Sequence, residues 1–104
     1  MSTPEGLIKK DVKRILNEYD VYYFMPVQMG YGAAGLDFHC IIKWKKIPIA
    51  FMVETKAPGK ELTARQSFLS QSLLENYNVI TFIVDSPSSL LKLERWLQKI
   101  RVTQ

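Results

Sequence analysis

Apolar residues recur along this chain with two different periods, and the switches between them mark its elements. Leu7, Ile8, Val12, Ile15, Leu16 and Tyr19 return every three to four positions, as on one face of a helix. Thr3 can cap that helix, Pro4 suits its first position, and Glu5 complements the positive end of its dipole. VYYFMPV (21–27) is β-branched and aromatic and predicts a strand, while Pro26, which has no amide hydrogen for a ladder, assigns it to an edge or a bulge. LDFHCIIKW (36–44) and IPIAFMVETK (47–56) read as two more strands, joined at Lys45-Lys46. Helical spacing returns over 63–77, VITFIVD (79–85) predicts a short buried strand, and Ser86-Pro87 opens a last helix. The apolar face of that helix is Leu90, Leu91, Leu93, Trp96, Leu97 and Ile100. GYGAAG (30–35) is a loop that precedes a strand, so it is not a phosphate-cradling turn at a helix start.

The predicted order is therefore α-β-β-β-α-β-α. Short turns make the first three strands antiparallel neighbours, and the helix before the fourth allows a crossover to a parallel strand. An α/β fold follows, with a small mixed sheet flanked by helices. A hairpin turning about Lys45-Lys46 pairs Trp44 with Ile47 and Asp37 with Glu54. This register gathers Leu36, Phe38, Cys40, Ile42, Ile49, Phe51 and Val53 on one face, and a one-residue slip would scatter them.

The totals narrow the classes. With 104 residues and 47% hydrophobic content, residues 1–104 are expected to form one domain with a modest core. The apolar runs are too short for a membrane span, and the first residues lack the apolar stretch of a secretory leader. A single cysteine, Cys40, rules out an internal disulfide and suits a reducing cytoplasm. The net charge of +4 permits an anionic partner. Lys43, Lys45 and Lys46 flank Trp44, Lys60 and Arg65 follow the third strand, and Lys92, Arg95, Lys99 and Arg101 lie near the C-terminus.

Candidate chemistry concentrates where the third strand ends. Directly opposed residues place their Cβ atoms about 4.5–5.5 Å apart on the same face, so the expected register sets Asp37 beside Glu54. Two carboxylates at that spacing repel each other and raise each other's pKa unless a cation lies between them. A hard divalent ion such as Mg²⁺ takes one or two carboxylates, with water and substrate phosphate completing its shell. The carbonyl of Thr55 offers a further oxygen, and Lys56 stands two residues past Glu54. The plainer alternative is a surface ion pair of Glu54 with Lys56, worth little, with Asp37 an unrelated loop carboxylate.

Asp37, then Glu54-Thr55-Lys56, then Gln66 at the next helix start resemble the PD-(D/E)xK nuclease pattern. PEGLIKKDVKRIL, GLDFH, VETKAPGK and LTARQ, in that order, are similar to the virus-type replication-repair nuclease (VRR-NUC) domain over residues 4–85. Leu36 stands where the superfamily pattern has Pro. The resemblance implies a restriction-endonuclease-like αβββαβ core followed by an extra helix. It implies that Asp37, Glu54 and the Thr55 carbonyl hold the metal and that Lys56 orients or activates the attacking water. Gln66 matches the Gln of the family's helix start, and Glu5 its helix-borne metal ligand, with Glu18 as the other candidate. Local roles compete: Thr63-x-x-Gln66 is a capping box in its own right, and Glu5 serves the helix dipole. His39 follows Asp37 by two and is either near the phosphate or an ordinary partly buried histidine.

The implied activity is Mg²⁺-dependent hydrolysis of phosphodiester bonds in DNA, with Mn²⁺ able to substitute. Lys43, Lys45, Lys46, Lys60 and Arg65 would grip backbone phosphates, contacts that carry no sequence information. Stand-alone members of the family are short, often from phages, and commonly homodimers that cut branched DNA such as Holliday junctions. The corresponding expectation here is a homodimeric endonuclease in the host-cell cytoplasm. The competing readings are an inactive DNA-binding accessory protein of the same fold and an enzyme acting on RNA.

Overall fold

The computed structural model describes residues 3–26 and 35–104. Its elements follow the expected order: α1 (Pro4–Glu18), β1 (Tyr22–Phe24), β2 (Phe38–Trp44), β3 (Ile47–Thr55), α2 (Ala64–Tyr77), β4 (Ile80–Val84) and α3 (Pro87–Val102). The strands form one open sheet in the order β1-β2-β3-β4, antiparallel from β1 to β3, with β4 parallel to β3. The described residues thus form an α/β fold, with a small mixed sheet and three helices.

Local chemistry sets the element ends. Thr3 Oγ1 accepts from the Gly6 amide at 3.0 Å to start α1, and capping boxes at Thr63 and Ser86 start α2 and α3. Asn78 ends α2 in the left-handed region (φ 57°), which Asn tolerates better than most side chains. β1 is shorter than the 21–27 expected. The Val21 amide bonds the Leu16 carbonyl and closes α1 instead of joining the sheet, and residues from Val27 to Ala34 lie outside the described residues, as does the loop expected at 30–35 except Gly35. The expected edge position of this strand is the one observed.

β2 and β3 pair Trp44 with Ile47 beside the turn and Phe38 with Val53 at the far end, the register expected from the alternation. Leu36, Phe38, Cys40, Ile42, Phe51 and Val53 are accordingly buried, and Ile49 is half-buried. Val12, Ile15 and Leu16 of α1 and Leu93, Leu97 and Ile100 of α3 join that core. Each fully buried side chain of this size contributes about 1.5–3 kcal/mol. Trp96 packs against Phe51 and Phe82, with ring centroids 4.9 and 5.2 Å away. The apolar face of α3 is narrower than expected, because Leu91 is exposed. No residue of α2 is buried, so this helix gives the fold little core. Its first turn instead reaches the end of β3.

Candidate active site

The polar cluster forms where the β2–β3 ladder stops. Pairing ends at Phe38 and Val53, one step short of Asp37 and Glu54. β3 continues beside β4, where Glu54 pairs with Ile83 and Thr55 with Val84, and the Lys56 amide donates to the Val84 carbonyl at 3.0 Å. The chain then turns through Ala57-Pro58-Gly59-Lys60, with the Lys60 amide bonded to the Ala57 carbonyl at 3.0 Å. Gly59 has φ 83°, as the third position of a type II turn requires, and Pro58 suits the second. That bend carries the first turn of α2 back over Glu54.

Asp37 and Glu54 are cross-braced rather than a directly opposed ladder pair. The Asp37 amide donates to Glu54 Oε1 at 2.8 Å. The Thr55 amide and hydroxyl donate to Asp37 Oδ2 at 2.9 and 2.6 Å. Gln66 Nε2 donates to Glu54 Oε2 at 2.6 Å, and Lys56 Nζ lies 3.7 Å from the same oxygen. Gln66 fills both roles open to it: its Oε1 accepts from the Thr63 amide at 3.0 Å to close the capping box, while its amide nitrogen holds Glu54. The Glu54–Lys56 pair is not the surface pair of the plainer alternative, since those side chains are only 3% and 14% exposed.

Burial, and next the negative charge of Asp37, push the Glu54 carboxyl up to about 7, against the pull of the Asp37 amide and of Lys56. A carboxyl poised there changes charge near neutral pH, and a cation beside it favours the ionised form. By contrast the Cys40 thiol, on the core face, is pushed up to about 12 by burial and stays protonated.

Two contributions lie outside the sequence reading: the amide and hydroxyl of Thr55, expected only for its carbonyl, and the Lys9 side chain. Thr55 is wholly buried and acts on Asp37 through its amide and hydroxyl. Lys9 of α1 places its Nζ 3.4 Å from Glu5 Oε2 and 3.7 Å from Asp37 Oδ1. Glu5 therefore enters the cluster through Lys9. The spacing of Glu5 and Lys9, one helical turn apart, was the signal available for that pair. Glu18, the other candidate, lies thirteen residues further along α1, roughly 20 Å away at the helical rise, and pairs with Arg14 at 3.3 Å.

The basic residues divide between two places. Lys60, between β3 and α2, and Arg65, in the first turn of α2 beside Gln66, are both exposed. Lys43, Lys45 and Lys46 lie at the opposite end of the hairpin, roughly 20 Å away over seven residues of strand, so they do not join the site. Lys45 Nζ instead sits over the Trp44 ring, 4.8 Å from its centroid. His39 also stays apart, pairing with Phe24 across β1–β2 with ring centroids 6.4 Å apart.

The donor set consists of hard oxygens, with neither thiolate nor imidazole, which fits Mg²⁺ or Mn²⁺ held by one or two carboxylates. Among the described residues no three His, Cys, Asp or Glu side chains converge on one point. Asp37 and Glu54 would carry such an ion, with Glu5 at the margin. No family model matches the chain, and no match was found among curated proteins or solved structures.

Proposed function

We propose that this chain is a Mg²⁺-dependent deoxyribonuclease of the VRR-NUC kind, with a restriction-endonuclease-like core, hydrolysing phosphodiester bonds in DNA. The observation that supports this most is Glu54: an almost fully buried carboxylate at a strand end, braced by Asp37 and Gln66 and paired with Lys56. Stability alone gives little reason to bury an acid beside a second acid. In this reading Asp37, Glu54, the Thr55 carbonyl and Glu5 are the groups that would hold the ion. When bound, the ion supplies polarisation of the phosphate and a hydroxide at neutral pH.

The remaining roles belong to the chain's own residues. Gln66 fixes the rotamer of Glu54, and Thr55 fixes that of Asp37, so both carboxylates are held in place before substrate arrives. Lys56 positions the attacking water and offsets negative charge developing on the phosphate. Lys60 and Arg65 flank the site and bind backbone phosphates on either side. The reading includes a homodimer, whose two sites would cut opposed strands of branched DNA, with sedimentation mass as its check. No described helix is long and apolar enough to cross a membrane.

One observation favours a second reading, an inactive DNA-binding protein of this fold. Three of the four carboxylate oxygens of Asp37 and Glu54 already accept hydrogen bonds within the chain. The two readings separate on a panel of single-stranded, duplex, flap and four-way DNA, together with RNA, assayed with Mg²⁺, Mn²⁺ and EDTA. We expect cleavage of DNA that needs the metal and disappears in Glu54→Ala and Lys56→Ala. Full activity in either variant contradicts the assignment, cleavage of RNA alone moves the substrate class, and binding without cleavage supports the second reading.

A further inference from the structure

Asp37 Oδ1 is the one oxygen of the two central carboxylates that accepts no hydrogen bond from the described residues; its neighbour is the Lys9 ammonium, 3.7 Å away. Thr55 is wholly buried, Glu54 is 2% exposed, and Gln66 bonds Glu54 Oε2. Asp37 is the more exposed of the two central acids, and on its side Lys9 touches both Asp37 and Glu5.

We propose that Lys9 is a built-in counter-cation on the Asp37 side of the cluster: it offsets part of the negative charge of Asp37 and Glu5 in the absence of metal and must give way before a divalent ion can use Asp37 Oδ1. The inference rests on the metal-dependent reading above and adds a residue to it. Its physical basis is competition. An ammonium and a divalent ion attracted to the same carboxylate oxygen repel each other at close range, and the four-carbon stem of lysine lets the ammonium swing out into water. Lys9 thereby gives the acids a partner in the empty site and weakens metal binding. Lys56 does not duplicate this function, because it pairs with Glu54 Oε2 rather than with Asp37 Oδ1.

Calorimetric titration of the full chain with Mn²⁺ tests this directly, comparing wild type, Lys9→Met and Lys9→Arg. Met keeps the helix propensity and most of the stem but removes the charge. Lys9→Met is expected to bind Mn²⁺ about five- to tenfold more tightly, allowing for a site partly open to water, whereas Lys9→Arg stays near wild type. In EDTA the Lys9→Met melting temperature should fall below that of wild type, and saturating Mn²⁺ should raise it by more than it raises the wild-type value. Lys9→Gln provides a second neutral variant with the same expected gain should Lys9→Met fold poorly. Mn²⁺ binding that is lost in Asp37→Asn yet unchanged or weakened in both neutral variants overturns the role of Lys9 and leaves the metal site standing. Absence of Mn²⁺ binding in wild type and neutral variants alike, or binding indifferent to Asp37→Asn, overturns both.

Discussion

The two ends of the β2–β3 hairpin carry comparable numbers of charged residues and use them in opposite ways. At the open end, Asp37, Glu54 and Lys56 are largely buried; Thr55 of β3, Gln66 of α2 and the Asp37 amide hydrogen-bond the two acids, and Lys56 pairs with Glu54. At the turn, Lys43, Lys45 and Lys46 are exposed. Both turn residues there have positive φ, 49° and 68°, as a two-residue hairpin of type I′ demands, although neither is Gly or Asn. The C-terminal residues tie this end down: Trp44 Nε1 donates to Thr103, the Lys45 amide donates to Gln104, and Gln104 donates to the Lys43 carbonyl. Charge at the turn is solvated, whereas charge at the open end is largely desolvated, and its carboxylates accept hydrogen bonds from both backbone and side chains. The second arrangement raises the Glu54 pKa, a kind of shift that clusters at functional sites.

The sharpest way to break this contrast is by substitution at each end. Lys56→Ala should lower metal-dependent cleavage by about 10²–10³-fold, while a Lys45→Ser, Lys46→Ser double variant should change chiefly the salt dependence of binding. Equal losses at both ends would erase the distinction.

The elevated Glu54 pKa gives the next effect. The folded state holds that proton more tightly than the unfolded chain, so the contribution is fully present below about pH 4.5 and is lost as pH rises through about 7. Glu54→Gln removes this slope. Its stability relative to wild type should therefore rise between pH 4.5 and 8, by on the order of 3 kcal/mol, measured by urea denaturation. A constant difference across that range would mean that Glu54 titrates normally.

Gln66 allows its two jobs to be separated. Glu at this position keeps the capping acceptor but loses the amide donor and sets a third carboxyl against Glu54. Gln66→Glu should cut cleavage about 10–100-fold and move its pH dependence upward, with α2 intact by circular dichroism. At the other end, Lys46→Gly should relieve the left-handed strain and stabilise the chain by about 1 kcal/mol, without altering cleavage.

How much of this was legible beforehand follows the same division. The hairpin register could be read because alternation and a two-residue turn constrain it jointly: a slip would have turned Phe38, Phe51 and Val53 outward. The approach of Asp37, Glu54 and Lys56 followed from that register, whereas Gln66 was expected there only from the resemblance. The same register also implied that Lys43–Lys46 lie far from the carboxylates, an implication passed over in treating all basic residues as one surface. Lys9 was not legible, because its place depends on how α1 packs across the sheet, which periodicity does not specify. Thr55 was read for its carbonyl alone; its hydroxyl bond to Asp37 exists because the ladder stops one pair early.

The most direct test of the account is the cleavage of labelled four-way and duplex DNA by wild type and Glu54→Gln, each with Mg²⁺ and with EDTA. The account predicts product only from wild type with Mg²⁺. Cleavage that persists in EDTA, full activity in Glu54→Gln, or no cleavage by wild type with Mg²⁺ would contradict it.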